Sequence, residues 1–334
     1  MRRLQDILAC PACKGHLKWE NHSARCGNCA IAYPVVEGVP VFVSDASRSH
    51  VDTRPRENYD EYVARTILKT LDRSCVVLDV GSGNMKLDHP NIVRMEPTHG
   101  PNVDVVADAM NLPFKDGAID FLHSTAVLEH LSDPFQFGKE AFRVCGLGGY
   151  TYAETNFVWP YHGYPEHFFN FSVSGVEKIF AEFRKIRSGV PAHGMPSFSL
   201  AVIVDSYVSL FKPQTKTDRE LVRALKKLQE FFLRDFTFDK RFDYESAKIL
   251  AGVVFFYGMK QDQEETIVPQ PLLEAYSKSP SLRHKHPNPY DLMTPENVWT
   301  ELRQTVDLSE YYAGKQAFSK RGEDGGPVSD PILI

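Results

Sequence analysis

Four cysteines in the first thirty residues constrain this chain more than any other feature: Cys10 and Cys13 two residues apart, a twelve-residue interval, then Cys26 and Cys29, again two residues apart. A two-residue spacing lets both thiolates of a pair wrap one side of a single ion. The stretch His16 to Arg25 is long enough for a hairpin that brings one pair to the other. The expectation is a tetrahedral structural Zn2+ site with Cys10, Cys13, Cys26 and Cys29 as ligands. Four thiolates fill such a site, so the metal orders a segment of little apolar mass and leaves no position for substrate. Two disulfides are the weaker reading, because a chain of 334 residues has core enough without staples. Cys75 and Cys145 stand alone in apolar surroundings and read as small core residues.

After the second pair comes AIAYPVVEGVPVFV, where β-branched runs punctuated by Gly38 and Pro40 predict a strand, a turn and a strand. The segment resembles the Trm112-like zinc-ribbon family through Cys10, Pro11, Cys13, Cys26, Cys29, Tyr33, Pro34, Gly38, Pro40 and Phe42. In that family the small protein often binds and stabilises methyltransferases. The resemblance therefore implies a ribbon over residues 1–45, fused permanently to a domain of that kind. The polar and basic residues 46–57 read as a linker.

Residues Asn58 to Leu71 have the spacing of an amphipathic helix. The apolar run Cys75 to Leu78 is then too short and too β-branched for a helix and predicts a buried parallel strand, followed at once by Asp79, Gly81 and Gly83. Glycines at the carboxyl end of a strand allow a tight turn and let backbone amides approach a ligand. A second strand, Asn91 to Met95, ends in Glu96, placed to accept hydrogen bonds from the two hydroxyls of a ribose. A third, Val103 to Ala107, ends in Asp108, placed to reach an adenine amino group. A fourth spans Ala118 to His123, and a fifth, Tyr150 to Glu154, comes after Gly146, Gly148 and Gly149. Polar residues at successive strand ends mark one edge of an open α/β sheet, where such sheets bind ligands.

Residues 76–188 resemble a class I S-adenosylmethionine-dependent methyltransferase of the type 11 kind, in VVLDVGSG, VVADAMNLPFKDGAIDFLHS, VLEHLSDP and EAFRVCGLGG. The resemblance implies a Rossmann-like seven-stranded sheet in an α/β fold, joined to an N-terminal zinc ribbon. It implies an S-adenosyl-L-methionine site of Asp79, Gly81, Gly83, Glu96, Asp108, Ala109 and Ser124, with Thr125 as the alternative to Ser124 at the methionyl end. Two places depart from the family pattern: Asn84, Met85 and Lys86 stand where a third glycine is frequent, and Leu147 stands where proline is common. A dinucleotide reading fares worse, because Lys86 occupies the position of its last glycine. Glu129 and His130 in VLEHL either orient the helix or contact the cofactor loop.

Past the fifth strand, ETNFVWPYHGYPEHFFNFS holds seven aromatic rings, two histidines and two prolines. Prolines forbid a long regular element, so the stretch is a loop over the crevice. Transfer of a methyl group to a hydroxyl needs a base, and histidine titrates in the right range. His162 and His167 are the candidate catalytic bases, with Glu154 orienting one of them. The segment also resembles a methyltransferase subgroup with a PxHGYPxHxFNxT-like run, for which tailoring of sugars and secondary metabolites is implied.

Beyond it the pattern predicts a helix over Val173 to Phe183, a strand over Arg184 to Ser188, two helices over Ser199 to Phe211 and Asp218 to Phe236, and an antiparallel strand over Ile249 to Met259. The methyltransferase unit is thus expected over 58–260, with a helical insertion at roughly 197–246 serving as a lid or a homo-oligomer surface, and an irregular extension over 261–334 with one short helix at Pro295 to Val306. A net charge of −5 argues against a protein whose main business is gripping a phosphate backbone. No run reaches the roughly 18 apolar residues of a membrane span, so no membrane partner and a cytoplasmic place are expected. The leading expectation is O-methylation of a small-molecule, sugar or natural-product hydroxyl. The alternatives are a tRNA or protein methyltransferase, with a nucleic acid or protein as substrate, and a noncatalytic scaffold.

Overall fold

The computed structural model describes residues 4–43, 74–83, 91–163, 166–191, 194–234 and 239–261. The expected linker, the helix over Asn58 to Leu71, the loop residues Asn84, Met85 and Lys86, and the helix over Pro295 to Val306 lie outside the described residues.

The first unit opens with a short helix, α1 (Leu4–Ile7), and continues as a four-stranded antiparallel sheet in the order β1 (Leu17–Glu20), β2 (Ser23–Cys26), β3 (Ala32–Val36), β4 (Val39–Pro40). Each cysteine pair is followed by a residue in the left-handed region, Lys14 at φ 57° and Ala30 at φ 62°. Their amides return to the first cysteine of the pair, Lys14 N–H to Cys10 O at 2.7 Å and Ala30 N–H to Cys26 O at 3.2 Å. These two tight turns fold each pair back on itself.

The second unit is a seven-stranded sheet in the order β10 (Arg184–Gly189), β11 (Val253–Met259), β9 (Cys145–Asn156), β8 (Ile119–Thr125), β5 (Val77–Val80), β6 (Ile92–Glu96), β7 (Val105–Val106). The five strands from β9 to β7 are parallel, whereas β11 runs antiparallel between β9 and β10. This is the expected Rossmann-like sheet. Burial on both faces explains the unbroken apolar runs: every residue of β5 is buried, and the first six of β11. Strand β11 starts at Val253, later than the sequence pattern suggests, because Tyr244–Ile249 forms a short helix capped by Asp243.

One face of the sheet carries Val77, Phe121, Tyr150, Tyr152, Phe255 and Tyr257. Against the other pack α2 (Pro134–Val144), whose Asp133 cap accepts the Gln136 N–H at 3.0 Å, and α3 (Val173–Ile179). Helices α4 (Pro196–Leu210) and α5 (Lys216–Arg234) pack on each other between β10 and β11 in the chain. Among the described residues, no helix is long and apolar enough to cross a membrane.

The two units share one core. Ile7, Leu8, Cys10, Leu17, Ala24, Cys26 and Tyr33 belong to the same buried cluster as Leu78, Phe114, Phe137 and Val144. Backbone bonds stitch the join: Ala9 N–H to Pro113 O at 2.9 Å, Lys115 N–H to Ile7 O at 2.9 Å, and Phe42 N–H to Val106 O at 2.8 Å, with Val41 and Val106 paired in parallel. The chain after β4 thus covers the edge strand β7, whose backbone groups would otherwise be open to pairing with another chain. Lys14, held out by its left-handed turn, reaches Glu140 of α2 at 2.9 Å and Asn111 Oδ1 at 2.7 Å.

Candidate functional site

In the ribbon the four cysteine sulfurs all lie within 4.8 Å of one another. Cys10 and Cys29 are 3.6 Å apart and Cys13 and Cys26 3.4 Å. A tetrahedron with Zn–S bonds of about 2.3 Å has edges of roughly 3.8 Å, so the set fits a four-sulfur ion. Its partners have the chemistry that thiolates require. The Tyr33 hydroxyl lies 3.1 Å from Cys10 Sγ, and the Asn28 and Cys29 amides point at Cys26 Sγ from 3.3 and 3.5 Å. The Cys29 amide, helped by that of Asn28, draws the Cys26 thiol down to about 6.

At the carboxyl rim of the sheet, the turn after β5 holds Gly81 at φ 72° and Gly83 at φ 58°. A Cβ on Gly81 would meet Val127 Cγ2 at 2.2 Å, so this position requires glycine twice over. Glu96, at the end of β6, accepts the Gly83 N–H. Asp108, just past β7, caps the next turn by accepting the Met110 N–H at 2.9 Å, and Ala109 is buried beside it. Ser124, the last residue but one of β8, is fully buried. Its hydroxyl and that of the buried Ser82 have no hydrogen-bond partner among the described residues. Buried hydroxyls without partners normally have an unseen one, and two of them beside a glycine turn and two strand-end carboxylates fit a polar nucleoside cofactor. Asp79 is placed differently: its carboxylate lies 2.8 Å from His123 Nδ1, both buried, and so ties β5 to β8 inside the sheet.

The turn after β8 contains Ala126 in the left-handed region at φ 53°. Strained backbone at a rim is a mark of functional constraint. This turn lays Val127 over Gly81 and sends Glu129 inward. Fully buried, Glu129 accepts the Thr155 hydroxyl at 2.8 Å and the Asn156 amide at 2.7 Å from the end of β9, and its backbone carbonyl accepts the Phe168 N–H at 2.7 Å. Burial pushes its carboxyl up to about 7.

His162 and His167 do come together, with ring centroids 4.4 Å apart, but they differ in chemistry. His167 Nδ1 accepts the His162 N–H at 3.2 Å, and Nε2 faces Phe169 O and Asn170 Oδ1 at 2.9 and 2.8 Å. Both of its nitrogens are occupied in pinning the loop. His162 gives Nδ1–H to Pro160 O at 3.1 Å, leaving Nε2 as an acceptor 3.4 Å from Asn156 Nδ2 and 3.9 Å from Glu129 Oε1. Burial lowers His162 to about 4. The carboxylate beside His162 is therefore Glu129, where the sequence suggests Glu154; Glu154 is buried in β9 and accepts the Tyr152 hydroxyl. Sequence reasoning leaves Glu129 and His130 between a packing and a contact role, because nothing local tells that the end of β9 and the aromatic loop converge on them.

Residues 63–153 match the Methyltransf_11 family model, a methyltransferase domain, and residues 2–38 match that of the Trm112p-like proteins. The N-terminal segment is 42% identical over 48 residues to a UPF0434 protein of Methylobacillus flagellatus, covering 14% of this chain and 80% of that one. It is 45% identical over 49 residues to a UPF0434 protein of Histophilus somni, covering 14% and 75%. Among solved structures, the chain is similar to the Haloferax volcanii complex of the Trm112 methyltransferase activator with a methyltransferase, at 14% identity, 61% and 90% coverage and a TM-score of 0.37. It is also similar to geranyl diphosphate C-methyltransferase from Streptomyces coelicolor A3(2), at 12% identity, 58% and 74% coverage and a TM-score of 0.36.

The sheet order and the matched domain define an enzyme of the S-adenosylmethionine-dependent methyltransferase superfamily, class I. Its first residues belong to a different family, the Trm112p-like proteins: the chain is a Trm112-like domain fused to a Methyltransf_11 domain.

Proposed function

We propose that this chain transfers a methyl group from S-adenosyl-L-methionine to an acceptor presented at the open rim, with the zinc-loaded ribbon as its built-in stabiliser. The observation that carries the reading is the pair of partnerless buried hydroxyls, Ser82 and Ser124, flanking a glycine turn backed by Glu96. Bound there, the cofactor supplies an electrophilic methyl on a sulfonium. Gly81 and Gly83 open the backbone to the methionyl end, Glu96 and Asp108 hold the ribose and adenine, and Ala109 lines the adenine side. Asp79 acts at one remove, by fixing His123 and the register of β5 against β8.

The Trm112-like ribbon favours a nucleic acid or protein acceptor, and the rim is dressed for a large flat partner. Tyr161 is 69% exposed, Phe168 49% and Phe169 39%, all on the loop beside the crevice. A small hydroxylated acceptor is the second reading, favoured by His162, a neutral imidazole whose Nε2 lone pair lies beside Glu129. His167 holds the loop in either case. The domain limits proposed are 1–45 for the ribbon, 58–260 for the methyltransferase unit and 261–334 for the extension.

The test is to bind labelled S-adenosylmethionine to the full chain and then offer it tRNA, protein extract and metabolite fractions, reading each by mass for a gain of one methyl group. Binding with methyl gain in the macromolecular fractions is expected. Binding with gain only among metabolites selects the second reading, and failure to bind the cofactor at all refutes both.

A further inference from the structure

Beside the crevice, three side chains form a second cluster that neither the cofactor nor the ribbon uses. The ligand atoms of Glu129, His130 and His162 all lie within 4.8 Å of one another. The two imidazoles are set in the same manner. His130 Nδ1 lies 2.7 Å from Glu166 O and His162 Nδ1 3.1 Å from Pro160 O, so each ring gives its proton to a backbone carbonyl and keeps the Nε2 lone pair. Metal-bound histidines are oriented in this way, by a second hydrogen bond to a carbonyl or carboxylate that fixes tautomer and ring plane. The rings stand edge to face, 5.1 Å between centroids and 88° between planes, so they do not stack, and a ligand atom of each comes within 4.8 Å of the Glu129 carboxylate.

The carboxylate is equally prepared. Glu129 is fully buried and held by Thr155 and Asn156, both neutral, and no lysine or arginine pairs with it among the described residues. A buried carboxylate with only neutral donors is costly, and a cation removes the cost. The position bears on chemistry as well: Glu129 and His130 come directly after Val127 and Leu128, and Val127 lies against Gly81 of the cofactor turn.

We propose that Glu129, His130 and His162 bind a divalent first-row transition-metal ion at the acceptor end of the crevice. Two imidazole nitrogens and one carboxylate oxygen suit Zn2+, Fe2+, Mn2+ or Co2+ and are a poor set for Ca2+ or Mg2+, which take oxygens. With bonds of about 2.1 Å, ligand atoms around such an ion lie roughly 3 to 3.5 Å apart, so the cluster closes by about 1 Å through side-chain rotation. Three protein ligands leave positions open, which distinguishes this site from the filled four-sulfur site of the ribbon. A metal there makes His162 a ligand instead of a free base, and gives the acceptor oxygen or a water a Lewis acid to bind. Metal binding at this cluster stands apart from methyl transfer, which cofactor binding tests separately.

The experiment is a Co2+ titration of the metal-stripped full chain, followed by visible absorption, with S-adenosylmethionine binding measured on the same samples. Wild type is expected to take two equivalents: one with the strong thiolate charge-transfer bands of the cysteine site, one with weak ligand-field bands and no thiolate character. His130→Ala and His162→Ala are each expected to fall to one equivalent with the thiolate bands and cofactor binding intact. Glu129→Gln, whose carbonyl can still accept the Asn156 amide while its NH2 donates to the Thr155 hydroxyl oxygen, should weaken the second equivalent at least tenfold. A single equivalent in the wild type, or a second equivalent that survives in both histidine variants, overturns the proposal. Loss of cofactor binding in the wild type with both equivalents present would refute the methyl-transfer reading and leave the metal site standing.

Discussion

The ribbon and the sheet rim both gather polar side chains around a point, and they do so in opposite ways. In the ribbon the four sulfurs come from two tight turns within twenty residues and surround their centre completely. At the rim the polar groups arrive from the ends of β5, β6, β7, β8 and β9 and from the aromatic loop, and two of them, the Ser82 and Ser124 hydroxyls, are left open to a further partner, with none among the described residues. A closed arrangement serves architecture, because nothing further can bind; an open one serves chemistry. A local four-thiolate set of this kind would depend on its ion for order, whereas the dispersed one is held by a sheet with its own apolar core.

The sharpest way to break this contrast is Cys10→Ser. Cys10 is buried against Tyr33 inside the shared core, and metal binding supplies the folding free energy of such a unit, so we expect loss of bound zinc and a destabilisation on the order of 5 kcal/mol. Zinc content and a thermal melt read it; an unchanged melt with zinc retained would contradict the ribbon's role.

Next in size is Gly81→Ala, where a side chain both needs the left-handed conformation and overlaps Val127. Strain of this kind costs about 1 to 3 kcal/mol. Denaturant unfolding should show it, and Val127→Ala in the same chain should recover the part due to overlap while leaving the part due to φ. Complete recovery would mean that the backbone conformation costs nothing there.

Glu96→Ala should weaken S-adenosylmethionine binding by roughly 10- to 100-fold, the value of hydrogen bonds to a charged group. Calorimetric titration decides; equal affinity would remove Glu96 from the ribose side.

The smallest effect concerns the join. Burial alone would raise the Glu140 carboxyl, but Arg143 and Lys14 hold it below the usual carboxylate range. A depressed carboxyl contributes stability above its unfolded value, near 4.5, and loses it as pH falls through the folded one. Glu140→Gln should therefore cost about 1 kcal/mol at neutral pH, discounted for the partly exposed Lys14, and nothing in acid. Melting temperatures of the two proteins should converge as pH drops below 4.5; parallel curves would deny the ion pair its part.

The same contrast explains which features the sequence discloses. The cysteine spacing is local, so its four ligands are legible from residue types and intervals alone. The sheet is legible because strands buried on both faces need near-continuous apolar runs such as CVVL and GVVFFYG, and because each strand end carries its own punctuation. Glu154 misleads for a physical reason: it ends the expected strand, yet β9 continues to Asn156, and it is Thr155 and Asn156 that reach Glu129. The partnership of Lys14 with Glu140 spans 126 positions and leaves no trace in either segment. Asp79 is legible as important and not as the partner of His123, since the two lie 44 residues apart on the parallel neighbours β5 and β8.

Val41 and Phe42 pair with Val106, two residues before Asp108, so whatever steadies the ribbon also steadies the proposed adenine contact. If zinc in the ribbon favours that contact, thermodynamic reciprocity requires the converse: a nucleoside held by Asp108 would tighten the hold on zinc of four thiolates that it never touches.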